Sequence, residues 1–154
     1  MPPSSVIFDE SLWPLLLIRF ERAPSATEFA GYLARLSTYP RRQERYVCIL
    51  DASRIHAGTL EQGQQQAAWI KEHAALLRQW QLGSAHVISS PAIRLVTSFI
   101  LYIQPLPVPH IIVPHLSAAV EWALARLEEA GIPLEAQRVR HHFGLLTENP
   151  DPRA

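Results

Sequence analysis

Tyr46-Val47-Cys48-Ile49-Leu50-Asp51 is the segment around which this chain is organised. The five residues before Asp51 are apolar without alternation, as in a strand buried on both faces of a parallel sheet. Asp51 stops the run, and Ser53-Arg54-Ile55-His56-Ala57-Gly58 follows as a polar loop. A helical pattern then runs from Thr59 to Trp80. Strand, loop at the carboxyl end, returning helix: in an open α/β sheet, that loop is where ligands and partners usually meet the fold.

Outward from this unit the same grammar repeats. Upstream, Val6–Asp9 and Leu12–Phe20 read as two strands that pair antiparallel. Pro14 lacks an amide donor and belongs at an edge or bulge. Ser25 or Thr27 caps a helix across Glu28–Thr38, with Phe29, Tyr32, Leu33 and Leu36 on one face. Downstream, Gly83 terminates the long helix, and Ala85–Ile88 is a strand. Ser90-Pro91 starts a helix over Ala92–Ile103. Pro105, Pro107 and Pro109 stiffen the connection to a last strand, His110–Val113. Ser117 caps a helix over Ala118–Ala130, which Gly131 and Pro133 end. The expected architecture is α/β: a mixed, largely parallel sheet with an antiparallel opening pair and about four helices. Residues 1–133 form one domain. Residues 134–154 are an extension with a short helix across Glu135–His142 and a disordered end, Thr147–Ala154.

Composition narrows function. The 154 residues are 48% apolar, enough for one domain with a sizeable core. Fourteen basic residues balance fourteen acidic ones, so no field of one sign favours nucleic acid or an anionic membrane. A single cysteine, Cys48, fits a reducing cytosol, and Met1–Ser5 lacks the pattern of a signal peptide. The apolar stretch Ile100–Val113 is broken by Gln104 and three prolines, so no membrane insertion is expected. The expected location is cytoplasmic.

The pieces Val47–Ser53, Ala85–Ile88 and His110–Val113 with Ala118–Leu124 resemble the STAS fold, and more closely its SpoIIAA-like (STAS/SEC14) branch. The resemblance covers roughly residues 5 to 131 and lies in the order of elements. It implies a non-enzymatic protein that docks on partner proteins. In the anti-sigma antagonists of that family, a serine at the start of the helix after the central strand is phosphorylated, within an Asp-Ser-Ser-Gly-like motif. The matching stretch here is His56-Ala57-Gly58-Thr59, which lacks the acidic residue and the serine pair. Thr59 keeps a hydroxyl at that place, and Ser53 is an alternative one nearer the strand.

Two helices carry candidate interaction surfaces. On the Thr59–Trp80 helix, Leu60, Gly63, Ala67, Ile70, Ala74 and Leu77 share a sheet-facing stripe. Trp69, His73, Leu76 and Trp80 form a second stripe, which either a neighbouring helix or a partner covers. The Ala92–Ile103 helix is apolar nearly all round. Ile93, Val96 and Ile100 should face the sheet, leaving Leu95, Phe99 and Tyr102 outward for a second copy of the chain or for the C-terminal tail.

Chemistry is thinly represented. The seven histidines have no metal-ligand spacing, and no phosphate loop is present, so neither metal nor cofactor is expected. Asp51, Ser53 and His56 crowd one loop without the elbow that hydrolytic nucleophiles use, and read as turn formers. The expectation is a regulatory or adaptor protein that binds an unidentified protein partner and itself. The alternative is a carrier or sensor of a small apolar ligand held beneath Ala92–Ile103.

Overall fold

Tyr46–Asp51 is β3, the middle strand of a five-stranded sheet in the computed structural model, which describes residues 4–145. The other strands are β1 (Val6–Leu12), β2 (Leu15–Phe20), β4 (Gln81–Val87) and β5 (His110–Val113). They lie side by side in chain order. β1 and β2 are antiparallel, and every later pair is parallel.

Parallel neighbours in chain order need crossovers of one hand, and these place successive helices on one face. Accordingly α1 (Ala26–Leu36) and α2 (Leu60–Trp80) pack on the same side, with α3 (Pro91–Ile103) beside α2. α4 (Leu116–Glu129) and α5 (Ala136–His142) cover the opposite side. The strand period of two divides the core to match. Leu15, Leu17, Val47, Ile49, Ala85 and Val87 point to α4, while Leu16, Ile18, Phe20, Tyr46 and Cys48 point to α1 and α2. A strand such as β3, apolar at both parities, is thereby buried on both faces.

Local signals set most boundaries. Ser25 accepts from the Glu28 amide while the Glu28 carboxylate accepts from the Ser25 amide, a reciprocal cap that starts α1. Thr59 Oγ1 caps α2 through the Gln62 amide at 3.1 Å. Ser90 caps α3, and Pro91 occupies its first position.

Four expectations are corrected. The strand foreseen as Leu12–Phe20 is broken by a turn at Trp13-Pro14, whose peptide bond is cis. The proline that cannot donate thus sits in the turn, where only its carbonyl is used, accepting from the Val47 amide of β3 at 3.0 Å; Leu12 ends β1, and Leu15 begins β2. Gly83 does not end α2. It lies inside β4, and Gln81 makes the change directly, with extended backbone and its amide on Leu77 O. Ser117 lies within α4, which starts at Leu116, a residue packed on the core beneath that helix. Leu60 is not on the sheet; it is 69% exposed at the start of α2.

The tail crosses to the α4 side. Val139 is buried there, and Leu134, Phe143 and Leu145 pack on the same core cluster. Arg140 holds the tail to α4 through Glu121, at 2.7 Å. Thr147–Ala154, read as disordered, lies outside the described residues. Among the described residues, no helix is long and apolar enough to cross a membrane.

Candidate functional site

The loop after β3 is folded by its own polar side chains. Asp51 Oδ1 accepts from the Ser53 amide at 3.1 Å and the Ser53 hydroxyl at 2.6 Å. Arg19 Nε lies 3.5 Å from the other carboxylate oxygen. The Ser53 hydroxyl is therefore committed to closing the turn. His56 is exposed, and Thr59 is the cap of α2. Ser53, His56 and Thr59 are not brought to one centre.

The second stripe of α2 divides in two. Trp69 and His73 are buried, with their rings stacked 4.4 Å apart. Trp69 Nε1 donates to Ser37 Oγ, just past the end of α1, at 2.9 Å. His73 Nδ1 lies 2.9 Å from Trp69 O. As a partner surface these two residues are corrected: α1 and the turn at Pro40–Arg42 cover this side of α2. Leu76 and Trp80 are half-buried, and Trp80 packs on the core under α1 and α2.

α3 is different. None of its 13 residues is buried. Leu95, Phe99 and Tyr102 face outward as expected, at 72%, 58% and 84% exposure. Val96, foreseen as an inner residue, is also exposed, and so is Ile103. Ile93, Thr97, Ile100 and Leu101 form the inner edge. Ile100 is seated by Gly63 of α2, where a Cβ would meet its Cδ1 at 2.7 Å. The helix thus leans on α2 and does not lie flat on the sheet.

Beneath it is a cavity of about 170 Å³. Its floor is the sheet: Tyr46, Cys48, Leu50 and Ala52 from β3 and the residue after it, Ser84, His86 and Ile88 from β4 and its end, and Phe20 from β2. Tyr32, Gln66, Trp69, Ile70 and Leu77 wall it from α1 and α2, and Thr97, Ile100 and Leu101 roof it from α3. Sharing Phe20, Ala52 and Gln66 with it, a more open recess of about 180 Å³ reaches Gly58, Thr59, Ile93 and Val96.

No lining residue is Asp, Glu, Lys or Arg. Burial pushes the Cys48 thiol up to about 12, and burial keeps the Tyr32 hydroxyl protonated. His86 is pushed down to about 4, first by burial and then by the nearby His110. Its ring lies deep, although the cavity leaves part of its surface open. Its Nε2 is 3.1 Å from Ser84 Oγ. The Tyr32 hydroxyl donates to Gln66 Oε1 at 3.0 Å. At neutral pH this is an uncharged chamber with a few hydrogen-bonding atoms.

Gln66, Ser84, His86 and Thr97 were not among the sequence-read site residues. One signal was available: Ser84, His86 and Ile88 share a strand parity, so a serine and a histidine fall on a face that is otherwise apolar. Gln66 and Thr97 gave none, because a polar residue on a helix ordinarily faces water.

Among the described residues, no three His, Cys, Asp or Glu side chains are placed to hold a metal ion. Comparison with family models, with curated proteins and with solved structures finds no match.

Proposed function

We propose that the chain is a non-enzymatic regulatory or adaptor module of STAS-like type, working in a reducing cytosol through protein contacts, and that it pairs with a second copy of itself through α3. The observation that carries this is the outer side of α3: Leu95, Val96, Phe99, Tyr102 and Ile103 exposed on one helix that buries nothing. The STAS-like part rests on the order of elements, an antiparallel opening pair followed by parallel strand–helix units.

Magnitudes favour pairing. Burying one such side chain is worth roughly 1.5–3 kcal/mol. The five are 46–84% exposed, so covering what remains brings at most roughly 5–10 kcal/mol from each protomer, and a symmetric pair uses the patch twice. Association costs roughly 4–15 kcal/mol in lost freedom. Arg94 is the one charged residue on α3, so little charge must be dehydrated. The described tail does not compete, since it packs on the opposite side. With Thr59 serving as the α2 cap and the serine pair missing, the module works without the phosphorylation switch of the anti-sigma antagonists.

Light scattering over a concentration series tests the pairing. The natural chain is expected to be dimeric and Phe99→Glu a folded monomer. A natural chain that stays monomeric at high concentration rejects it.

The cavity beneath the same helix favours a second reading, a carrier or sensor of a small apolar ligand.

A further inference from the structure

We infer that the chamber under α3 is a binding site for one small, uncharged, single-ring molecule bearing one hydrogen-bonding atom. The inference rests on the carrier-or-sensor reading of that cavity and not on whether α3 pairs with a second copy.

Size sets the first limit. An apolar cavity of about 150 Å³ stays dry and takes up benzene. At about 170 Å³, this one has room for a six-membered ring and a small substituent. Shape and chemistry of the walls set the second. Phe20, Tyr32, Tyr46 and Trp69 surround the space, and aromatic walls favour a ring through edge and offset contacts.

Charge sets the third. A charged ligand would lose its hydration and meet no opposite charge, since the walls carry none. Polar capacity sets the fourth. Gln66 uses Oε1 to accept from Tyr32, and among the described residues its amide NH₂ engages no protein acceptor. Thr97 Oγ1 on the roof likewise has no protein partner among the described residues. One ligand oxygen or nitrogen would satisfy either group. Entry is local: α3 buries no residue and Ile100 rests in a groove cut by Gly63, so the roof lifts at little cost in packing.

The test uses the natural chain with three probes, phenol, toluene and benzoate, read by amide NMR shifts and thermal unfolding. Phenol and toluene are expected to saturate, to move the signals of Cys48, His86 and Ile100 most, and to raise the unfolding temperature. Phenol should bind severalfold more tightly than toluene, and benzoate at least a hundredfold more weakly than phenol. Thr97→Phe, which fills the chamber from the roof, should remain folded and lose binding; Ala52→Leu fills it from the floor if the first variant does not fold. Gln137→Ala, at an exposed position of α5 across the sheet, should leave binding unchanged. Absence of saturable binding by phenol and toluene overturns the inference. So does benzoate binding as tightly as phenol, or binding centred on signals away from the chamber.

Discussion

Gly83 of β4 is the place where the Trp122 ring of α4 meets the sheet: a Cβ there would lie 2.6 Å from Trp122 Cη2 and 3.0 Å from Cζ3. The glycine is required for space, since its backbone is that of an ordinary strand. Gly83→Ala forces the ring away from β4 and should cost about 1–3 kcal/mol of stability. Trp122→Leu in the same chain should recover part of that loss. Urea unfolding of the two single variants and the double variant gives the coupling directly. Additive losses would contradict the contact.

His86 makes stability depend on pH in a defined window. Its folded value of about 4 lies below the ordinary histidine value of 6.5. Between these two values the unfolded chain binds a proton that the folded chain refuses, so stability is full above pH 6.5 and falls as pH drops toward 4. The loss is on the order of 1–3 kcal/mol. Glu10, held low by Arg42, and Glu121, held low by Arg140, give up their contributions only at lower pH. His86→Gln should flatten the stability profile between pH 6.5 and 4.5, measured by denaturant midpoint at each pH. An unchanged profile would show that the ring is hydrated.

Cys48 should resist thiol reagents. Burial in β3 keeps the sulfur protonated, and only the thiolate attacks. At pH 7.5 a water-soluble disulfide reagent is expected to label the unfolded chain fully and the folded chain at least a hundredfold more slowly, a contrast on the scale of local-opening equilibria. Rapid labelling of folded protein would require a wider opening beneath α3 than the structure has.

Trp69 and Phe99 separate a structural aromatic residue from an interface one. Trp69→Phe removes the bond to Ser37 and should cost about 1 kcal/mol, while Trp69→Ala should cost about 3–5 kcal/mol. Neither should alter the oligomeric state. Phe99→Ala, at an exposed position, should change stability of the monomer by less than about 0.5 kcal/mol and weaken association. Calorimetric unfolding together with light scattering distinguishes them. A Trp69 variant that unpairs without losing stability would reverse the assignment.

The chain's own pattern determined the sheet. Five apolar residues before Asp51 without alternation mean burial on both faces, and the repeated strand–helix order means parallel neighbours. Capping hydroxyls at Ser25 and Ser90 placed two helix starts, because caps act within one turn. Periodicity also identified Leu95, Phe99 and Tyr102 as one outward side of α3. What packs on a stripe was decided only in three dimensions. Trp69 and His73 share a helical face as legibly as Leu95 and Phe99 do, yet α1 covers the first pair and nothing among the described residues buries the second. Helical spacing specifies which side chains point the same way; whether another element reaches them depends on contacts distant in sequence, such as Trp69 with Ser37. The chamber is of the same kind. Ser84 and His86 come from β4, Gln66 from α2 and Thr97 from α3, and an empty volume belongs to no segment but to the way three of them fail to fill it.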